Sequence, residues 1–184
     1  MFGLGFCLKY GENYKKKFFS NKNFIFGCVS KSKKNVIRGL HLQRINSQAK
    51  YISVLKGKIF DVALDLRKKS KTYGKYFSSI LSESNSKSIY IPAGFAHGYC
   101  GLENENYIIY SCSKYRNSKS EIGISYNDKE INIKWPTKKP IVSKKDRNNF
   151  SFSFQIFKCF FYKLFSFAFR ANRKHIHTNI MSNA

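Results

Sequence analysis

Short runs of alternating apolar and polar residues dominate the chain between about residues 36 and 126. In the clearest run, the apolar residues Phe60, Val62, Leu64 and Leu66 alternate with Asp61, Ala63, Asp65 and Arg67. A period of two places successive side chains on opposite faces, so this run predicts a β-strand with two unlike faces. A Lys56-Gly57 turn precedes the run, and residues 51–55 form the predicted partner strand.

Further runs of strand character follow at residues 76–81, 88–91, 98–102 and 107–113. No helical period of any length interrupts them. Many short strands at close spacing are typical of a β-sandwich or barrel, the jelly roll included. The sequence therefore predicts an all-β fold, with short peripheral helices or irregular segments at the termini.

The length of 184 residues suits one domain with a single hydrophobic core. We place that domain at residues 1–147 and treat residues 148–184 as a divergent, Phe-rich extension. Within it, residues 150–169 carry Lys158 and Lys163 near the middle. Each central lysine would cost about 2.5–3.5 kcal/mol on insertion into a bilayer, whereas each Phe contributes only about a few tenths of a kcal/mol in favour. No membrane span is therefore predicted. A strand or helix packed on the domain or on a partner subunit, and a degenerate extension, remain open.

The net charge of +24 would attract any polyanion, whether nucleic acid, an acidic membrane surface or a phosphorylated metabolite. Lysine is, however, spread along nearly the whole chain together with abundant Asn, Ile, Phe and Tyr, as a codon bias towards A and T would produce. No nucleic-acid-binding motif accompanies the charge. We therefore expect no specific nucleic-acid partner.

The cysteines indicate a reducing compartment. The five thiols, at positions 7, 28, 100, 112 and 159, are odd in number and form neither a Cys-x-x-Cys pair nor a zinc spacing. Isolated thiols are typical of cytoplasmic proteins. The apolar start of the chain lacks the basic region and the length of a signal peptide, so we expect a cytoplasmic protein.

Two segments with histidine suggest a polar pocket. Arg38, His41 and Gln43 share one predicted strand, with His41 and Gln43 on the same face, and a glycine turn leads His97 into another strand. Two histidines and glycine turns in a small all-β chain suggest a cupin. Metal-binding cupins usually carry a His-x-His pair, but this chain has His41-Leu-Gln43, so a transition-metal site is not expected. His175 and His177 form such a pair in the tail, but without acidic partners nearby.

Several motifs together give a more specific result. In order and approximate spacing, the chain resembles the dTDP-4-dehydrorhamnose 3,5-epimerase family at the following segments: Ile37-Arg-Gly-Leu-His-Leu-Gln43, Lys50, Gly57-Lys-Ile-Phe-Asp-Val-Ala-Leu-Asp-Leu-Arg67, Ile91-Pro-Ala-Gly-Phe-Ala-His-Gly98, Tyr110, Trp135-Pro136 and Ser143-Lys-Lys-Asp146. The match covers about residues 30–147. It implies a cupin-type double-stranded β-helix, that is, a jelly roll, and an epimerase without a cofactor.

The resemblance also implies a set of catalytic residues. The substrate, a dTDP-linked 4-keto-6-deoxy sugar, has a C4 ketone that acidifies the C–H bonds at C3 and C5. His41 matches the base, since imidazole can accept a proton near neutral pH, and Asp146 matches the carboxylate that orients it. Lys50 matches the charge beside the enolate oxygen, and Tyr110 matches the acid on the opposite face.

The implied binding residues are Arg38 for the diphosphate, Ser30 and Ser143 for the nucleotide, and Gln43, His97 and Asp61 in the same pocket. Asp65 and Arg67 are assigned to a strand end and left outside the catalytic set. The chain departs from the family at Leu4, where a second phosphate-binding arginine is usual. One lost charge-assisted contact corresponds to about 1.5–3 kcal/mol.

Three alternatives stay open at this point. The chain could epimerise one carbon only, or act on a related nucleotide sugar, because pocket shape decides which carbon is protonated. It could also be a decayed epimerase that only binds sugar nucleotides. Polyanion binding driven by the +24 charge ranks last. Family resemblance further implies a homodimer that exchanges N-terminal strands, and a place in deoxysugar and polysaccharide synthesis.

Overall fold

A computed structural model describes residues 24–154 of the chain, and these residues fold into a β-structure with little helix. The strands are β1 (Phe26–Ser32), β2 (Val36–Gln43), β3 (Lys50–Lys56), β4 (Lys58–Asp65), β5 (Tyr76–Ser82), β6 (Ser88–Ile91), β7 (Phe95–Gly101), β8 (Asn106–Cys112), β9 (Glu121–Gly123) and β10 (Ile141–Val142). A 3₁₀ turn spans Ser118–Ser120, and a single-turn helix, α1, spans Lys144–Arg147.

The strands form two sheets. One has the order β1-β8-β3-β6, and the other has the order β10-β2-β7-β4-β5 with β9 added beside β2. The named pairings are antiparallel except that of β10 with β2. Side chains from the facing strands of both sheets share one apolar cluster. The predicted cupin-type jelly roll is confirmed.

The hydrophobic core lies on both faces of the larger sheet. Between the sheets it comprises Ile52, Val54, Ile59, Ala63, Leu81, Ile91, Tyr99 and Ile108. On the other face, residues of β2, β4 and β7 pack against the segment that follows β9, in a cluster of Leu40, Val62, Leu64, Ala96, Ile124, Ile131, Ile133 and Phe152. Strand β4 is therefore covered on both faces, and its polar face looks into the interior rather than into water.

The strands predicted from residue 51 onward correspond to β3 to β8, with ends that differ by a few residues. Strand β1 was not predicted, because residues 26–32 carry glycine, serine and lysine and show weak strand character locally. Its seven residues are held by a continuous ladder to β8, from Phe26 opposite Cys112 to Ser32 opposite Asn106. Such long-range pairing overrides a weak local preference.

The first residues of the Phe-rich extension pack on the domain. Phe150 bridges to Ile124, and the buried Phe152 donates its backbone N–H to Asp128 Oδ2 at 2.7 Å. The remainder of the extension, with its two lysines and the His175–His177 pair, lies outside the described residues. Leu4 and the N-terminal segment expected to exchange between subunits also lie outside them. Within residues 24–154, no helix is long and apolar enough to cross a membrane.

Candidate active site

A histidine–aspartate pair joins β2 to α1. His41 Nε2 lies 2.6 Å from Asp146 Oδ1, and Asp146 is 4% exposed. Ser143 caps α1 by accepting the Asp146 backbone N–H at 3.0 Å, and the second carboxylate oxygen accepts the Gly39 N–H at 3.4 Å. Burial alone would raise the pKa of Asp146, but the hydrogen bond and charge of His41 outweigh it, so the pKa is lowered. The carboxylate is thus ionised and fixes the imidazole ring.

The glycine before this histidine allows two strands to come unusually close. Gly39 has a φ of +112°, and a Cβ built on it would lie 2.6 Å from Gly98 Cα and from the His97 carbonyl oxygen. The β2–β7 register shifts between Arg38 and His41 at this place. The close approach sets His41 directly beside His97 in the ladder. This contact accounts for glycine in both the Arg-Gly-Leu-His and the Ala-His-Gly segments.

A second histidine–aspartate pair lies deeper between the sheets. His97 Nε2 lies 2.8 Å from Asp61 Oδ2, and both side chains are buried. Burial lowers the pKa of His97, and the neighbouring Asp61 only partly opposes this. The other carboxylate oxygen, Asp61 Oδ1, is buried without a hydrogen-bond partner among residues 24–154. A buried acceptor is costly when unpaired, so this oxygen is available to a hydrogen-bond donor from a ligand or from water.

Lys50 brings a positive charge to the same interior. It begins β3, opposite Cys112 of β8, and the residue as a whole is half-buried. Its ammonium end points inward, so burial lowers the pKa, while the nearby Cys112, Glu121 and Asp61 act in the opposite direction. A lysine ammonium group in this interior is suited to hold an anionic group of a ligand.

Tyr110 faces the two histidine–aspartate pairs from the four-stranded sheet, the sheet that also carries Lys50. Its ring meets that of His97 edge-on, with centroids 5.9 Å apart. Burial raises the pKa of Tyr110 well above its ordinary value, and Tyr99 and Asp61 reinforce the effect. Tyr110 is therefore a neutral hydroxyl donor. Because His41 belongs to one sheet and Tyr110 to the other, a base and an acid face each other across the space between the sheets.

Arg38 and Ser30 lie at the β1 side of this space. Arg38 donates from Nε to Ser32 Oγ and from Nη2 to the Lys31 carbonyl, both at 2.9 Å. Ser30 Oγ is 2.7 Å from the hydroxyl of Tyr99. Arg38 belongs to β2 of the larger sheet, and its guanidinium reaches across to β1. Strand β1 belongs to the sheet that carries Tyr110.

Two of the predicted binding residues have hydrogen-bonding groups engaged in local structure. Gln43 donates to the Asn46 and Tyr115 carbonyls, both at 3.3 Å, and accepts the Asn117 N–H at 2.6 Å. The Ser143 hydroxyl caps α1, as described above. Their roles in ligand binding remain predictions.

Glu121 was missed by sequence reasoning. It begins β9 opposite Gln43, and its side chain is 11% exposed. Arg116 and Lys145 pair with it, and their hydrogen bonds outweigh burial, so the pKa of Glu121 is lowered. Its charge is also felt by Lys50. The chain has only ten acidic residues, so each carboxylate is notable. The available sequence signal for Glu121 was its position beside Ile122 in a short segment of strand character.

Titratable side chains of both sheets thus converge in one interior space, with a fixed base on one side and a neutral hydroxyl on the other. No group of three or more His, Cys, Asp or Glu side chains able to hold a metal occurs between residues 24 and 154. Fold and site together define the class: a cupin-type jelly roll with an acid–base centre.

Comparison with known proteins gives the family. Residues 5–153 match the family model of the dTDP-4-dehydrorhamnose 3,5-epimerases. The enzyme of that name from Shigella flexneri is 40% identical over 147 residues, which cover 77% of this chain and 81% of that protein. The enzyme of the same name from Methanothermobacter thermautotrophicus is 43% identical over 128 residues, which cover 68% of this chain and 69% of that protein. This chain belongs to the dTDP-4-dehydrorhamnose 3,5-epimerase family, and it is an isomerase by type.

Solved structures agree with this assignment. The dTDP-4-dehydrorhamnose 3,5-epimerase of Elizabethkingia anophelis is 37% identical, with a TM-score of 0.73 and coverage of 77% of this chain and 79% of that chain. The dTDP-6-deoxy-D-glucose-3,5-epimerase of Legionella pneumophila was solved in complex with dTDP-4-keto-L-rhamnose. It has the same identity and TM-score, and the match covers 76% of this chain and 75% of that chain.

Proposed function

We propose that the protein epimerises dTDP-4-dehydro-6-deoxy-D-glucose at C3 and C5 and so forms dTDP-4-dehydro-L-rhamnose. One observation carries the proposal: the His41–Asp146 pair and Tyr110 lie on opposite sheets and face the same buried space. Inversion of a carbon needs proton removal on one face and proton delivery on the other. Epimerases of this name at 40% and 43% identity support the choice of substrate.

His41 is the proposed base. The C4 ketone acidifies the C–H bonds at C3 and C5, and His41 takes the proton from each carbon in turn. The resulting imidazolium is stabilised by the ionised Asp146 at 2.6 Å. Because that carboxylate is buried and held by the Gly39 N–H, the ring needs little reorganisation during the step.

Lys50 and Tyr110 are the proposed partners of the enolate. The Lys50 ammonium stabilises the oxygen that becomes negative when the proton leaves. Tyr110, kept protonated by its burial, delivers a proton to the opposite face and completes the inversion. Both carbons regain a proton, so the net reaction consumes no reductant, oxidant or metal, and we assign no cofactor.

The remaining polar residues are proposed to bind the nucleotide sugar. Arg38 grips the diphosphate, since a guanidinium pairs well with phosphate oxygens. His97 and Asp61 line the sugar pocket, where the unpaired Asp61 oxygen is available to a ligand hydroxyl. Ser30, Gln43 and Ser143 are assigned to further polar contacts of the ligand.

We also infer a homodimer working in the cytoplasm, in the synthesis of a deoxysugar for polysaccharides. Val29 and Leu55 of the four-stranded sheet, and Ile25 just before β1, are at least 40% exposed, and a partner subunit would cover them. Light scattering after size exclusion should give twice the chain mass of 21.4 kDa. A mass of 21.4 kDa at micromolar concentration would contradict the dimer.

The activity itself is tested by incubating the purified protein with the 4-keto sugar nucleotide and reading the ring proton couplings by NMR. The expected result is the L-rhamno configuration, inverted at both carbons, and a loss of conversion in Lys50→Met. The exposed Lys87→Met serves as the matched control. A substrate that stays unchanged with the folded wild-type protein would refute the proposal.

A further inference from the structure

The guanidinium of Arg38 is held by two neighbouring residues of β1. Its Nε donates to Ser32 Oγ and its Nη2 donates to the Lys31 carbonyl, both at 2.9 Å. Two bonds from one planar group to one strand fix both the position and the plane of that group. They use two of the five N–H groups of an arginine, and the residue is exposed, so the remaining donors can pair with phosphate oxygens.

Ser32 is itself fixed from the interior. It is 4% exposed, and its Oγ lies 2.8 Å from the hydroxyl of Tyr99. Tyr99 lies opposite Arg38 in the ladder of β2 and β7, and it is buried in the apolar cluster between the sheets. Because the Arg38 Nε–H occupies one lone pair of Ser32, the serine hydroxyl still has its hydrogen to donate to Tyr99. A buried hydroxyl therefore links the exposed guanidinium to the core.

Stability alone does not call for the bonds that Ser32 makes. Ser30 Oγ, at 2.7 Å, already gives the buried Tyr99 hydroxyl the partner that it requires. Without Ser32, an exposed guanidinium would donate to water instead. Both groups that accept from Arg38, a hydroxyl and a carbonyl, are uncharged. The guanidinium therefore keeps its full charge for a ligand, whereas an acidic partner would offset it.

We propose that Ser32 and Tyr99 are positioning residues for Arg38, and that together they hold its guanidinium in the orientation that binds the diphosphate. This inference rests on the proposed function, in which Arg38 grips the diphosphate. An arginine side chain has many rotamers, and losing them on binding weakens affinity. A guanidinium that is already fixed has less of this freedom to lose, so the free protein is arranged in advance for the ligand.

A thermodynamic cycle on dTDP affinity separates positioning from a general effect on the fold. Isothermal titration calorimetry gives the Kd of dTDP for wild type, Ser32→Ala, Arg38→Met and the double variant. Ser32→Ala should weaken binding by about 2- to 10-fold, the range expected for one lost hydrogen bond. In the Arg38→Met background the same change should have no further effect, because the group that Ser32 positions is absent. In turnover, Ser32→Ala should raise KM and leave kcat near the wild-type value.

Ser70→Ala is the matched control, because Ser70 also accepts a hydrogen bond from an arginine, Arg67 Nη2 at 3.2 Å, outside the proposed site. It should leave the Kd unchanged. If Ser32→Ala does not fold, Tyr99→Phe takes its place in the cycle and should weaken binding only when Arg38 is present. An equal loss of affinity with and without Arg38, or no loss at all, would overturn the inference. Wild-type protein that does not bind dTDP, or Arg38→Met protein that binds it equally well, would instead refute the proposed role of Arg38.

Discussion

The ion pair of His41 and Asp146 is the contact on which the proposed base depends, and Asp146→Asn perturbs it most selectively. The change keeps the size of the side chain and removes its charge. The Nε2–Oδ1 distance is 2.6 Å, and the carboxylate is buried. A charge-assisted hydrogen bond contributes about 1.5–3 kcal/mol. At about 1.36 kcal/mol per tenfold in rate, kcat should fall about 10- to 150-fold.

The assay is the initial rate of epimer formation at saturating substrate, followed by NMR. Glu105→Gln makes the same chemical change at an exposed carboxylate that pairs with Lys31 and Lys56, and it should leave kcat unaltered. A folded Asp146→Asn protein whose kcat is within about threefold of wild type would refute the role given to the carboxylate.

Stability should respond to pH through the same group. The pKa of Asp146 is lower in the folded protein than its ordinary value of 3.8. A depressed carboxylate pKa stabilises the fold above the unfolded value, and this contribution is lost as pH falls through the folded value. The difference in urea stability between wild type and Asp146→Asn should thus shrink below about pH 4. A constant difference from pH 7 to pH 3 would contradict this sign.

Three further predictions concern Lys50, Gly39 and Cys28. Burial lowers the pKa of Lys50 below 10.5, so kcat/KM should decline on the alkaline side before that pH, and Lys50→Arg should move this decline to higher pH. Gly39→Ala should lower the melting temperature by several degrees, since its Cβ would lie 2.6 Å from backbone atoms of β7 at a positive φ. Cys28 lies near Lys50, so dTDP should slow its alkylation by iodoacetamide, measured by mass spectrometry.

Each of these has a control or an excluding result. The same alkaline decline in wild type and Lys50→Arg would remove Lys50 as its cause. Gly27→Ala should be tolerated, because the nearest atom to its Cβ is 3.8 Å away, and equal melting temperatures for both alanine variants would contradict the packing argument. Equal Cys28 alkylation rates with and without dTDP would place the nucleotide elsewhere.

The strands from β3 to β8 could be predicted from the sequence because each carries its own apolar pattern. In strand β4, the strand itself could be predicted, but the burial of its polar residues could not. Its period of two was visible in residues 60–67, but the pattern did not show that Asp61 and Asp65 would both be fully buried. Strands β1, β9 and β10 could not be found locally, since β1 is held by its ladder to β8 and the other two are only three and two residues long.

The site, like the fold, could be predicted only in part. Resemblance to the family named His41, Asp146, Lys50 and Tyr110, and the fold brings these residues to one interior space. The hydrogen bonds of the Tyr99 hydroxyl with Ser30 and Ser32 could not be predicted, because they depend on a β7 side chain meeting β1 across the space between the sheets. Glu121 was missed for the same reason: Lys145 and Lys50, with which its charge interacts, are distant from it in sequence.

The removal of protons from both C3 and C5 by His41 is the step on which the proposed mechanism depends. It is tested most directly by incubating wild type and His41→Ala with dTDP-4-dehydro-6-deoxy-D-glucose in deuterated water and locating deuterium in the sugar by NMR and mass spectrometry. We expect deuterium at both carbons with wild type and at neither with the variant. Label at C3 alone would indicate an enzyme acting at one carbon. No label at either carbon, from folded wild type at saturating substrate, would contradict proton removal by His41.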